Sequence, residues 1–238
     1  MTELIIALDQ PSFDEAIAVV DALGPRVRWY KVGYQAFYGY GERIIEALQS
    51  RGASLFLDLK LHDIPNTVAA GVRAAARLRP AMLTVHAGGG RPMLTAAAQA
   101  RDEVNAAGGS LRLLAVTVLT SLSEEDLREI GEAHPHQLVS LRTEAALKAG
   151  IDGIVCAVDE VAIVRARAGD ACTIVCPGIR PGIQTSDDQH RVATPAQAVL
   201  AGADYIVVGR PVAQSPDPAA AAAAVLDEMA SASPLGRA

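Results

Sequence analysis

Short apolar runs recur along this chain about every 30 residues, with longer alanine-rich stretches of helical period between them. The runs fall at residues 4–9, 29–33, 54–60, 81–88, 111–119, 153–158, 172–179 and 205–209. Stretches such as LIIALD, SLFLDLK and YIVVG are close to continuously apolar, where a sheet with one wet face would alternate. Continuous apolar strands are covered on both faces, as in a parallel sheet under helices. The helical stretches fall at 12–23, 40–51, 66–79, 91–107, 136–149, 159–167, 194–201 and 217–230. Many open on a capping residue or proline (Ser12, Asn66, Pro92, Thr194, Pro195, Pro218) and several close on glycine (Gly24, Gly52, Gly108, Gly150, Gly202). Eight strand–helix units in 238 residues are the arithmetic of an α/β fold, the (β/α)8 or TIM barrel. The competing doubly wound open sheet carries a glycine-rich turn after its first strand, whereas LDQPSF follows here. The reading gives one domain, residues 1–230, with an extra short helix at 123–130 and a tail at 231–238 expected to be disordered.

Charge and cysteine usage narrow the function. The net charge of −6 and the lack of a basic run argue against a nucleic-acid partner. No apolar stretch approaches the ~20 residues of a membrane span, and MTELIIALDQ does not read as a secretory signal. The three cysteines, Cys156, Cys172 and Cys176, form no C-x-x-C pair. They are expected as reduced core residues, with a cytoplasmic location as the default.

A (β/α)8 barrel builds its active site at the C-terminal ends of its strands. Those ends are polar: Asp9, Lys31, Asp58 with Lys60, His86, Thr120 with Ser121, Arg180, and Gly209 with Arg210. One such residue is ordinarily a solvated strand end; this many on one rim is harder to dismiss. Asp58 and Lys60 lie two apart in a strand and so share a face. Lys31 comes from the neighbouring strand, and Asp63 lies just beyond in the loop. The expectation is an alternating Lys–Asp–Lys–Asp cluster. At about 4 Å and an effective dielectric near 20, each opposite pair gains about 4 kcal/mol, against which desolvation works. Two lysines make a divalent metal site improbable, and His62 and His86 offer no helical i, i+4 ligand pair.

Phosphate in such barrels often sits at the loops after strands seven and eight. Here PGIRPGIQTSDDQHR carries Arg180 and Gln189, and VVGRP carries Gly209 and Arg210. Glycine permits close backbone approach and arginine offers a bidentate fork. Loop 180–192 is long for such a connection, which favours a lid.

DLKLHDIPNT resembles the D-x-K-x-x-D-I-x-N-T signature of the orotidine 5′-phosphate decarboxylase family. IIALD, YKVG, VHAGGG, VLTS, PGIRP, DDQHR and IVVGRP follow in that family's order over essentially the whole chain. The resemblance implies a homodimeric barrel that converts orotidine 5′-phosphate to uridine 5′-phosphate (UMP) without metal or organic cofactor, the last step of de novo pyrimidine synthesis. It implies that Lys60 protonates C6 of the pyrimidine, with Asp58 near the departing carboxylate. It makes Lys31 and Asp63 the rest of the charged array, with Asp63, Ile64 and Thr67 crossing from a second subunit. Asp9 and Lys31 become ribose-hydroxyl partners, and Thr120 and Ser121 lie in the loop that meets the base. Arg180, Gln189, Gly209 and Arg210 become the phosphate positions. His62 occupies a variable position, and a packing or hydrogen-bonding role is favoured for it. Two rivals stand: a sister sugar-phosphate decarboxylase or aldolase using magnesium, and a non-catalytic phospho-ligand-binding barrel.

Overall fold

Eight parallel strands close into a barrel in sequence order: β1 (Glu3–Leu8), β2 (Trp29–Val32), β3 (Ser54–Leu61), β4 (Met82–His86), β5 (Arg112–Val116), β6 (Gly153–Val155), β7 (Thr173–Cys176) and β8 (Tyr205–Val208). The structure is a computed structural model that describes residues 1–182 and 191–232. The helices are α1 (Phe13–Leu23), α2 (Tyr34–Tyr40), α3 (Glu42–Gln49), α4 (Pro65–Ala76), α5 (Gly90–Ala106), α6 (Glu124–Glu129), α7 (Pro135–Lys148), α8 (Val161–Ala168), α9 (Pro195–Ala201), α10 (Arg210–Ala213) and α11 (Pro218–Ala232). The (β/α)8 expectation therefore holds.

The apolar runs divide between two cores, as strand alternation requires. Ile5, Trp29, Phe56, Met82, Val175 and Val207 point into the barrel, among others. The intervening residues, such as Leu8, Leu57, Leu83, Ile174 and Val208, pack outward under the helices. Gly153 has to lack a side chain: a Cβ there would stand 2.4 Å from the Thr173 carbonyl and 2.5 Å from Leu114.

Arginine–aspartate clamps stitch the N-terminal end of the barrel. Asp152 accepts the Leu113 N–H at 2.7 Å and pairs with the buried Arg101 of α5, joining β5 to β6. Asp204 repeats the arrangement between β7 and β8, accepting the Ile174 N–H at 2.7 Å and pairing with Arg165 of α8 at 2.8 Å. Each aspartate also satisfies a strand-end donor, so these pairs hold register as well as charge.

Element ends depart from the sequence reading in instructive ways. The fifth and sixth runs extend to residues 119 and 158, but β5 ends at Val116 and β6 at Val155. Val118, Leu119 and Cys156 leave the ladder and line the cavity above it, so apolar character persists where the strand does not. The second helical stretch, 40–51, holds α3, and α2 precedes it without having been expected, parted from α3 at Gly41 with φ +57°. Asn66 and Pro92 lie inside α4 and α5 instead of opening them, whereas Ser12 and Thr194 cap α1 and α9 through their side chains. α10 follows Gly209 directly and has no periodic signal in the sequence. Ser231 and Ala232, counted with the tail in the sequence reading, belong to α11; residues 233–238 lie outside the described residues.

Candidate active site

A cavity of about 300 Å³ opens at the C-terminal ends of the strands. Asp9, Lys31, Asp58, Lys60, Thr120, Ser121, Arg180, Gly209 and Arg210 all line it. They arrive from the ends of β1, β2, β3, β5, β7 and β8. Residues distant in sequence are thus brought to one rim.

Asp58 is the electrostatic centre. It is only 8% exposed, and Lys60 Nζ lies 2.9 Å from both of its carboxylate oxygens. Lys31 Nζ lies 3.6 Å from Asp58 Oδ2 and 3.7 Å from Asp9 Oδ1. Burial pushes the Asp58 carboxyl up, but Lys31 and Lys60, with hydrogen bonds from Lys60 and Thr84, outweigh it and hold the pKa below the usual carboxylate value. Lys31 also needs room: a Cβ on Gly33 would stand 2.9 Å from its Nζ.

The backbone around Lys60 departs from a regular strand. Lys60 has φ +42°, and the β3–β4 register shifts between Leu57 and Leu61. That left-handed conformation costs a non-glycine residue roughly 1–2 kcal/mol. Lys60 donates its N–H to Thr84 Oγ1 at 2.8 Å, and that hydroxyl donates to Asp58 Oδ1 at 2.9 Å. Thr84 is fully buried. One hydroxyl therefore supports both the strained backbone and the central carboxylate. Thr84 is absent from the sequence-derived residues, although its inward register with Met82 marks it as a polar group within the barrel.

Asp63 does not join the cluster within this chain, where the sequence alone suggested a four-member array. The chain turns outward after Leu61. Asp63 Oδ1 accepts the N–H of Ile64 at 2.6 Å, and Ile64 is 67% exposed. Asp63 and Ile64 border a separate recess with His62 and Gly88, and Thr67 is exposed on α4. Gln189 lies outside the described residues, as does most of the 180–192 loop.

His86 ends β4 but lines no part of the cavity; its ring stacks on His62 with centroids 4.9 Å apart. Burial, followed by His62, Arg142 and Lys60, pushes the His86 pKa down to about 4. Tyr34 donates to the Leu59 carbonyl at 3.0 Å, and its ring lies 5.8 Å from Lys60 Nζ. Among the described residues no cluster of three or more His, Cys, Asp or Glu is placed to hold a metal ion. Among them, too, no helix is long and apolar enough to cross a membrane.

A carboxylate clamped between two ammonium groups, beneath a rim carrying two arginines, is equipped to bind a phosphorylated anion and hold charge against a reacting centre. Comparison with known proteins agrees with that geometry. Residues 2–225 match the model of the orotidine 5′-phosphate decarboxylase / HUMPS family. The chain is 51% identical over 231 residues to the orotidine 5′-phosphate decarboxylase of Methylobacterium sp., covering 96% of each chain. It is 47% identical over 230 residues to that of Chromohalobacter salexigens, again covering 96% of each. The crystal structure of orotidine 5′-phosphate decarboxylase from Lactobacillus acidophilus superposes with a TM-score of 0.83 at 37% identity, covering 96% of this chain and 99% of that one. This chain belongs to the orotidine 5′-phosphate decarboxylase / HUMPS family.

Proposed function

We propose that this protein decarboxylates orotidine 5′-phosphate to UMP and CO2. The observation that carries the reading is the Lys31–Asp58–Lys60 cluster on the floor of a cavity whose rim holds Arg180 and Arg210. Whole-length relatives at about half identity carry that activity in their names.

The chemistry follows from what the reaction lacks. Loss of CO2 from C6 leaves a carbanion with no adjacent carbonyl to delocalise it. A fixed ammonium stabilises such a charge as it forms and then supplies the proton. Lys60 is that group. Asp58, held ionised by its neighbours, cannot be the acid; it faces the substrate carboxylate and disfavours it relative to the departing CO2. Asp9 and Lys31 meet the ribose hydroxyls, and Thr120 and Ser121 the base. Arg180, Gln189, Gly209 and Arg210 take the phosphate. The phosphate is remote from the reacting carbon, so its binding energy serves to organise the charged floor.

The exposed Asp63, Ile64 and Thr67 support a homodimer in which they complete the neighbour's site. Three buried, unbridged cysteines fit a cytoplasmic location.

The test is turnover of orotidine 5′-phosphate by EDTA-treated protein, followed as loss of substrate and appearance of UMP. Undiminished activity supports the reading. Activity restored only by magnesium would favour a sugar-phosphate enzyme of the same fold, and UMP binding without turnover would favour a non-catalytic barrel.

A further inference from the structure

Arg191 and Glu160 line no part of the cavity, yet they hold its walls. The Arg191 N–H donates to the Thr120 carbonyl at 3.2 Å. Its guanidinium donates to the Leu119 carbonyl at 2.8 Å and the Val118 carbonyl at 3.2 Å, and forms an ion pair with Glu160 Oε1. Glu160 is 0% exposed, and its other oxygen accepts the Ala157 N–H at 2.8 Å, next to the cavity-lining Cys156. Two residues beyond Arg191, Ala193 accepts the Arg180 N–H at 2.8 Å and donates to the Gly178 carbonyl at 3.2 Å. One guanidinium thus fastens together the chain leaving β5, the chain leaving β6 and the paired backbone that carries Arg180.

A buried ion pair is a poor device for stability alone, because desolvating both charges cancels much of their attraction. Burial pushes the Glu160 carboxyl up even with Arg191 beside it. What the pair does supply is geometry. A forked, planar donor reaches several carbonyls and a carboxylate at once, and a lysine cannot reproduce it.

Resting on the decarboxylase reading, we propose that Arg191 and Glu160 are positioning residues that set the spacing between the Thr120–Ser121 wall and the Arg180 wall, and so the affinity for the 5′-phosphorylated nucleotide. The pair touches no substrate. Without it the walls keep their residues but lose their separation, so binding shared equally by substrate and transition state is lost.

The test compares wild type, Arg191→Lys, and the double variant Glu160→Met/Arg191→Met. UMP dissociation constants come from calorimetry, KM and kcat from orotidine 5′-phosphate turnover, and stability from urea denaturation. Replacing both charges leaves no lone buried ion but strips partners from the Ala157 N–H and the Leu119 and Val118 carbonyls, so the double variant should fold with a urea midpoint below that of wild type. In both variants the UMP dissociation constant and KM should rise about tenfold or more, with kcat at saturation within about threefold. A folded double variant that binds UMP like wild type overturns the proposal. So does Arg191→Lys with wild-type KM, since a fork is then not required. If the double variant does not fold, Arg191→Lys decides alone. Wild type that binds UMP without turnover would sink the decarboxylase reading but leave the dissociation constants to judge Arg191; wild type that binds no UMP sinks both.

Discussion

Replacing Thr84 with valine removes one hydroxyl and leaves the shape of the side chain. In the wild type that hydroxyl accepts the Lys60 N–H at 2.8 Å and donates to Asp58 Oδ1 at 2.9 Å, in a position with no solvent access. Losing a hydrogen bond to a charged carboxylate is worth about 1.5–3 kcal/mol, and an unpaired buried N–H costs about 1–3 kcal/mol. The two losses share one hydroxyl and partly relax together, so about 3 kcal/mol is expected. For a domain of this size that lowers the melting temperature by about 6–12 °C. The kinetic effect is separate. Lys60 sits at φ +42°, and without Thr84 its backbone has less reason to stay there. Displacement of Lys60 by about 1 Å would, on the proposed role of its ammonium group, lower kcat by about 100-fold. The assay is thermal melting together with steady-state turnover of orotidine 5′-phosphate, with Thr84→Ser as a control that keeps the hydroxyl. If Thr84→Val melts and turns over like wild type, the hydroxyl does not hold this site and the account of Lys60 is wrong.

Lys60→Ala should abolish decarboxylation while UMP still binds; parallel loss of both would make Lys60 structural, and calorimetry beside the activity assay separates the two. Arg210→Ala should raise KM for orotidine 5′-phosphate strongly but barely change turnover of the phosphate-free nucleoside, and equal damage to both substrates would refute a phosphate role. Inactive Lys60→Ala and Asp63→Ala proteins, mixed under subunit exchange, should regain activity, because one hybrid site is wild type at both positions; no recovery despite demonstrated exchange places Asp63 in its own chain's site. His86 titrates at 6.5 unperturbed and at about 4 in the fold, so the unfolded chain binds the extra proton first. Stability is therefore full above about pH 6.5 and falls as the pH drops toward 4, and His86→Phe should flatten urea midpoints across that window.

The fold was legible because its signal is repetitive: eight apolar runs spaced by helices leave few architectures. The rim was legible because strand ends are the one place where a barrel must stop being apolar, so Asp9, Lys31, Asp58 and Arg210 stood out by position. Lys60 was legible as a residue but not as a conformation, since no property of lysine predicts a positive φ. Thr84 was hidden among the residues of an apolar strand, where threonine is ordinarily a β-former. Arg191 and Glu160 were invisible because their partnership spans 31 positions and is made largely through carbonyls, which carry no sequence identity. The place of Asp63 could not be read from spacing, since the turn after Leu61 carries it away from the lysines it neighbours in sequence.

The Arg101–Asp152 and Arg165–Asp204 clamps sit at the opposite pole of the barrel from the charged floor, with the inner apolar core between them. Perturbations at such separated sites add rather than couple. Changes at the clamp pole would alter how much folded protein a cell maintains, and changes at the rim would alter how fast each molecule works. Flux through the step is the product of those two quantities. Selection can therefore tune dosage and catalytic rate through separate sets of residues, and a deficit at one pole can be offset by a gain at the other.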